Sequence, residues 1–304
     1  MLKLILTALI NTIKIMPLPM VRGVGSVVGF VFGNVLRHHR SDAFEALERS
    51  MPELSAQERR RTINTMYRLQ GVSFMELTWY SMRGMDTFRG AIEFENEEYA
   101  DEALALGKGI LALTAHFGVY ELLPMATAAL GHKVSIIVKP IKNKSADEIV
   151  ARIRAHEGVT YLPRDNSYRD CLKALRRNEV VGMIIDQNMT RESGIFVDYF
   201  GKPACTSPGL AYMAAQSKAP VVPVFFHRKE DGTLVLKIQK PILPPIDRSP
   251  EAIQEATQLY TKVIEDEVRK HPEQWIWMHR RWKTTPVGGD VGVGIKKQVI
   301  HKKS

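Results

Sequence analysis

Gly109-Ile-Leu-Ala-Leu-Thr-Ala-His-Phe-Gly-Val-Tyr-Glu-Leu-Leu-Pro124 decides how this chain folds. Its first six residues are a short apolar run opened by glycine, the pattern of a buried strand. Its last part continues as Glu121-Leu-Leu-Pro-Met-Ala-Thr-Ala-Ala-Leu130 and reads as a helix. Between strand and helix stand His116, Gly118 and Glu121. In α/β sheets, chemistry is placed outside the carboxyl ends of strands, and this pair falls there. With 33 acids and 9 histidines in 304 residues, chance alone supplies about one His followed by an acid five positions later. The placement, not the spacing, carries the signal.

Outward from this stretch, strands and helices alternate. Val134–Val138, Val159–Leu162, Val180–Ile185 and Val221–Phe226 read as strands, and Thr233–Gln239 pairs with the last of these across the Asp231-Gly232 turn. Ser145–His156, Ser167–Arg177, Ser207–Lys218 and Ser249–Lys270 read as helices, with Pro208 suited to a first turn. Upstream, Ser41–Met51 is helical, and Ser55-Ala-Gln-Glu58 is a capping box that opens a long helix to about Met82. The expected fold is α/β, a mostly parallel central sheet flanked by helices, with an apolar helical N-terminal region. Residues 1–40 form an interfacial segment, 41–284 the main domain, and 285–304 a Gly- and Lys-rich tail that reads as disordered.

The bulk numbers narrow the partners. Hydrophobic residues make up 45% of the chain, enough for a packed core. Cys171 and Cys205 show neither disulfide nor metal spacing, which fits a reducing compartment. The net charge of +9 calls for an anionic partner. No zinc finger, Walker A loop or RNA-binding signature is present, so nucleic acid is disfavoured. The N-terminus points to a membrane instead. Leu2–Ile13 and Val21–Leu36 are apolar but interrupted by Lys3, Pro17, Pro19, Arg22 and four glycines. Neither reaches the roughly 20 clean apolar residues of a spanning helix. The pattern suits a segment lying in the lipid interface, closed by the cations of Arg37-His-His-Arg40. A helical hairpin packed on the protein's own core shares the same periodicity.

A His acting as general base needs one ring nitrogen toward the substrate and the other held in the donor tautomer. A carboxylate does the holding. A sharp turn at Gly118 could bring Glu121 under the His116 ring, and backbone N–H groups near Phe117–Gly118 could steady a developing oxyanion. A structural His–Glu pair is the plainer alternative. Basic groups follow other strand ends: Lys139, Lys142 and Arg164, of which the arginine could grip a phosphate. Asp186, with Gln187 and Asn188, ends the strongest strand and either orders the site or caps the strand exit. A metal there is a weak reading, with no second carboxylate at ligand spacing. Phe196-Val-Asp-Tyr-Phe-Gly-Lys-Pro203, with Gly201 and Lys202, could line an acyl pocket or form a surface hairpin. His271-Pro-Glu-Gln-Trp-Ile-Trp-Met-His-Arg-Arg-Trp-Lys283 interleaves tryptophans with cations, which suits either a headgroup boundary or a core with a basic rim.

Together these motifs resemble the lysophospholipid acyltransferase superfamily, and within it the lauroyl/myristoyl transferases that act late in lipid A synthesis. The resemblance runs over most of residues 1–284. It implies transfer of an acyl chain from acyl carrier protein or coenzyme A to a glycolipid hydroxyl, with no metal or redox cofactor, at the cytoplasmic face of a bacterial inner membrane. It implies His116 as base and Glu121 as its orienting partner, Arg164 on acceptor phosphate, Asp186 in support, and Gly201 in the block that shapes the acceptor site; Gly118 and Lys202 stand beside them as substrate-binding candidates. Glycerophospholipid acceptors, lipid binding without turnover, and hydrolysis by water are the competing readings.

Overall fold

The computed structural model describes residues 10–139, 141, 143–163 and 167–286. Its strands are β1 Ile92–Glu95, β2 Ile110–Thr114, β3 Val134–Val138, β4 Val159–Pro163, β5 Val180–Ile184, β6 Ile195–Tyr199, β7 Lys202–Thr206, β8 Val221–Arg228 and β9 Leu234–Ile238. Seven of them form one sheet in the order β1-β9-β8-β2-β5-β3-β4. From β8 to β4 all neighbours are parallel, whereas β9 returns antiparallel to β8 and β1 runs parallel to β9. The sheet is therefore mostly parallel, as the alternating pattern requires.

The apolar runs are explained by burial on both faces. In β2, Leu111 and Leu113 enter one core while Ile110 and Ala112 enter the other. β8 divides in the same way, Val221 and Phe225 against Val222, Val224 and Phe226. The long helix Ala56–Arg83 serves both cores, giving Ile63, Met66 and Tyr67 to one and Met75, Leu77, Trp79 and Tyr80 to the other. Its capping box forms: the Glu58 carboxylate accepts from the Ser55 N–H at 2.7 Å and the Ser55 hydroxyl accepts from the Glu58 N–H at 3.3 Å.

Several elements differ from the sequence reading. Met85–Arg89, β1 and Glu98–Ala105 precede β2 where no element was expected. The helix after His116 begins as a 3-10 turn, Tyr120–Leu122, and becomes α-helical only over Leu123–Ala129, with Pro124 in its first turn. Phe196–Pro203 folds as the hairpin β6–β7, whose two-residue turn places Phe200 and Gly201 at positive φ, as such turns demand. It is pinned to helix Pro250–Lys270 by Gln254, Gln258 and Glu265. The expected tail falls mostly on residues 287–304, outside the described residues.

The N-terminal segment packs one face on the protein, and contrary to the sequence expectation its run Leu18–Val35 is, by length and composition, long and apolar enough to cross a membrane. Helix Leu18–Phe30 continues as one π-helical stretch, Val31–Val35. A glycine face lies directly on the helix Ala56–Arg83. A Cβ on Gly29 would stand 2.2 Å from the Tyr67 carbonyl oxygen, and one on Gly71 would stand 2.2 Å from that of Gly25. The opposite face shows Val27 at 61%, Phe30 at 58% and Val35 at 64% exposure. Arg22, which breaks the apolar run, turns inward and meets the buried Glu76 at 2.7 Å, where Arg228 also binds. The charge is thus neutralised inside the protein, and the outer face stays apolar.

Candidate active site

The register of the sheet builds the site. Thr114 of β2 lies opposite Ile184 of β5, so the residues two positions beyond, His116 and Asp186, emerge side by side. His116 Nδ1 is 2.8 Å from Asp186 Oδ1. The His116 N–H donates to Asp186 Oδ2 at 2.9 Å, and the Trp275 indole N–H donates to the same oxygen at 2.8 Å. Burial alone would push the Asp186 carboxyl up, but the His116 charge and these hydrogen bonds hold it down at about 2. It is therefore ionised, and in the neutral form of the imidazole the proton sits on Nδ1 and Nε2 carries the lone pair. Burial likewise pushes the His116 pKa down, yet the Asp186 charge and hydrogen bond, joined by the Glu121 charge, leave it raised.

Glu121 does not hold this ring. Its carboxylate is paired with Arg154, whose Nη2 donates to both oxygens at 2.9 and 2.7 Å. The physical reason is the 3-10 turn at Tyr120–Leu122, which carries Glu121 toward Arg154 at the end of helix Lys144–Arg154, while the space beneath His116 Nδ1 is already taken by Asp186. Tyr120 instead packs edge-on against the imidazole, with ring centroids 5.0 Å apart.

The loop itself is clamped from behind by the C-terminal segment. Phe117 and Trp275 form an antiparallel bridge, the Gly118 N–H donates to the Gln274 carbonyl at 2.8 Å, and the Ile276 N–H donates to the His116 carbonyl at 3.1 Å. Gly118 is required twice over: its φ is +60°, and a Cβ would stand 2.1 Å from the Phe226 carbonyl oxygen. These bonds also correct the expectation of an oxyanion site near Phe117–Gly118. The N–H groups of His116, Phe117, Gly118 and Val119 are spent on Asp186, Ala115, Gln274 and Phe226.

The tryptophan-cation segment is core, not a headgroup boundary. Trp275, Trp277 and Arg281 are fully buried. Arg281 donates to the carbonyls of Gln187 and Cys205 and to the Thr206 hydroxyl, so it ties the loop after β5 to β7. Arg280 stays outside and pairs with Asp42 at 3.1 Å. On the open side of the imidazole lie Gln187, whose amide nitrogen is 3.1 Å from His116 Nε2, and His279, whose ring centroid is 5.0 Å from that of His116.

The remaining expected residues scatter. Arg164 and Lys142 lie outside the described residues, and Lys139 is exposed. Gly201 forms the β6–β7 turn, and among the described residues no contact links it or Lys202 to His116. Lys202 has its pKa lowered by partial burial and then by the nearby Arg49. Arg154 and His279 carry no site signal in the sequence, and Trp275 reads there only as headgroup boundary or core. No local spacing joins His116 to residues 38, 159 and 163 positions away; Arg154 arrives through its pairing with Glu121, and Trp275 and His279 through the C-terminal clamp.

Comparison with known proteins assigns the family. The chain is 28% identical over 282 residues to a lipid A biosynthesis lauroyltransferase of Escherichia coli strain K12, covering 90% of this chain and 88% of that relative. It is 26% identical over 286 residues to a lipid A biosynthesis palmitoleoyltransferase of the same organism, again covering 90% and 88%. Among solved structures, the 1-acyl-sn-glycerophosphate acyltransferase of Thermotoga maritima aligns with 86% of this chain and all of that one, at 13% identity and a TM-score of 0.40. Residues 1–284 match the family described as bacterial lipid A biosynthesis acyltransferase, and the chain belongs to that family of acyltransferases.

Proposed function

We propose that the protein moves a fatty acyl group from a thioester of acyl carrier protein or coenzyme A to a hydroxyl of a lipid A-type glycolipid, with His116 as general base and Asp186 as the carboxylate that orients it. The observation that carries this reading is the 2.8 Å contact between Asp186 Oδ1 and His116 Nδ1. In the neutral ring it keeps the proton on Nδ1 and turns the Nε2 lone pair to the open side of the site, as a base requires. The acceptor hydroxyl gives its proton to Nε2 as its oxygen bonds to the thioester carbonyl carbon. The tetrahedral intermediate then collapses, the carbon–sulfur bond breaks, and the imidazolium returns the proton to the departing sulfur. A positioned base of this kind contributes about 10²–10⁴-fold. No protein nucleophile is needed, because the substrate hydroxyl attacks directly.

Glu121 holds Arg154 in place, and that guanidinium supplies a cation for acceptor phosphate. This role extends to Arg154 what resemblance assigns to Arg164. The exposed apolar face of residues 18–36 sits in the lipid interface at the cytoplasmic side of the inner membrane. The net charge of +9 draws the protein toward anionic lipid and toward an acidic carrier.

The test is direct. Purified protein, an acyl thioester and a lipid A precursor are incubated, and the acceptor is weighed by mass spectrometry. One added acyl chain is expected. Free fatty acid without acylated acceptor would make the protein a hydrolase, and full turnover by His116→Ala would end the assignment of the base.

A further inference from the structure

The reaction just described needs a donor for the charge that develops on the thioester carbonyl oxygen, and the backbone near His116 has none to spare. All four N–H groups from His116 to Val119 are engaged within the protein. The Gln187 side chain, by contrast, is exposed, and its amide nitrogen sits between two imidazoles, 3.1 Å from His116 Nε2 and 3.4 Å from His279 Nε2. Nε2 is the lone-pair nitrogen of His116 in its neutral form, and that of His279 when the His279 proton sits on Nδ1. His116 carries its proton on Nδ1 because Asp186 is ionised. For His279, burial and then the neighbouring His116 lower the pKa, which favours the neutral ring. The His116 Nε2 lone pair sets the orientation of the Gln187 amide, nitrogen inward, since its oxygen there would face that lone pair, and His279 adds a second acceptor in its Nδ1–H tautomer. The backbone behind it is held as well: buried Arg281 donates to the Gln187 carbonyl at 3.3 Å, and Asn188 exchanges hydrogen bonds with Thr284.

We infer that Gln187 is the side-chain donor to the reacting carbonyl oxygen, and that His279 is the positioning residue that keeps its N–H pointed into the site. The inference rests on the acyl-transfer reading above. In the resting protein one N–H of Gln187 caps His116 Nε2. An incoming hydroxyl takes over that nitrogen, and the released N–H donates to the carbonyl oxygen as it becomes an oxyanion. The second N–H remains on His279. When the intermediate collapses and the thiol departs, the oxygen becomes an ester carbonyl and the amide returns to Nε2. No electrons or protons are consumed by Gln187 itself.

Steady-state kinetics of Gln187→Ala test this. Removing one such donor costs about 10²–10³ in kcat, with KM for both substrates little changed. His279→Phe, which keeps the ring volume but removes the acceptor, is expected to lose about tenfold in kcat. The double variant should then be no slower than Gln187→Ala, because His279 acts only through that amide. Melting temperature is followed in parallel, and Gln187→Met, equally long and without a donor, carries the test if the alanine variant does not fold. An unchanged or increased kcat in Gln187→Ala would overturn the inference, since the amide would then only obstruct the base. Additive losses in the double variant would overturn the role of His279. If His116→Ala is inactive while Gln187→Ala is not impaired, only this inference fails. If His116→Ala is fully active, the underlying reading fails.

Discussion

Asp186→Asn changes one atom and should silence the enzyme without unfolding it. Asp186 Oδ2 accepts two donors, the His116 N–H at 2.9 Å and the Trp275 indole N–H at 2.8 Å, while Oδ1 faces His116 Nδ1 at 2.8 Å. An asparagine amide has one oxygen and one nitrogen to place against these partners. With its nitrogen toward the two donors, two buried N–H groups lose their acceptor, at about 1–3 kcal/mol each. With its nitrogen toward His116, the ring needs only to move its proton from Nδ1 to Nε2. The second arrangement is cheaper and is therefore adopted, and it leaves Nε2 unable to accept a proton from the substrate. The expected loss is about 10⁴-fold in kcat, the cost of a wrong tautomer in such dyads. The pH profile should move as well. Asp186 raises the His116 pKa, so wild-type activity falls away on the acid side beginning above the ordinary histidine value of 6.5, and any residual activity of Asp186→Asn should persist to lower pH. Stability follows the same pair. Asp186, ordinarily near 3.8 and held at about 2, stabilises the fold above 3.8, and this is lost as pH falls toward 2. His116, raised, stabilises the fold below 6.5, and this is lost as pH rises through its folded value. Both describe one ion pair, and both dependences should vanish in the variant. Rate–pH profiles and thermal melts measure all of this. Wild-type turnover with an unmoved acid limb would refute the role given to Asp186.

Three further outcomes are expected. Glu121→Gln frees Arg154 without touching the His116–Asp186 contact, so KM for the glycolipid should rise about tenfold with a smaller change in kcat, read by acceptor titration. Gly118→Ala forces a Cβ to 2.1 Å from the Phe226 carbonyl at a φ of +60°, and should cost about 1–3 kcal/mol in unfolding free energy along with activity. Val27→Asp combined with Phe30→Asp alters only exposed apolar positions, so flotation with anionic vesicles should drop while the melting temperature holds; unchanged flotation would remove these residues from the membrane contact.

The sheet was legible because its central strands are largely buried on both faces. Runs such as Ile110–Thr114 and residues 221–226 carry buried apolar residues on both faces, and they are too short for a helix of ordinary length. The capping box at Ser55 and the turn at Asp231-Gly232 were legible because their chemistry is local. β1 was missed: Ile92-Glu-Phe-Glu95 is a four-residue edge strand, too short for its alternation to stand out. The partner of His116 was misassigned for a different reason. Glu121 is near in sequence, but the choice between Glu121 and Asp186 depends on which strand lies beside β2, and strand order is a tertiary fact. Once β5 is placed there in register, two polar residues at matching positions past Thr114 and Ile184 identify themselves.

The same geometry explains why the closing tryptophan-arginine segment is so distinctive a stretch of this chain. A carboxylate withdrawn from water resists ionisation unless donors replace its hydration. Asp186 has three, and the Trp275 indole N–H is the one that comes from outside its own pair of strands. Trp275 can deliver it only because residues 274–276 pair with residues 116–118, because Trp277 and Tyr199 pack around its ring, and because Arg281 ties the loop carrying Asp186 and Gln187 to β7. Aromatic and cationic residues are therefore demanded there by the ionisation state of one buried acid. Their similarity to a membrane-boundary pattern is compositional: indole and guanidinium suit any place where an apolar body must carry a hydrogen-bond donor to a negative group, and here that group lies inside the protein.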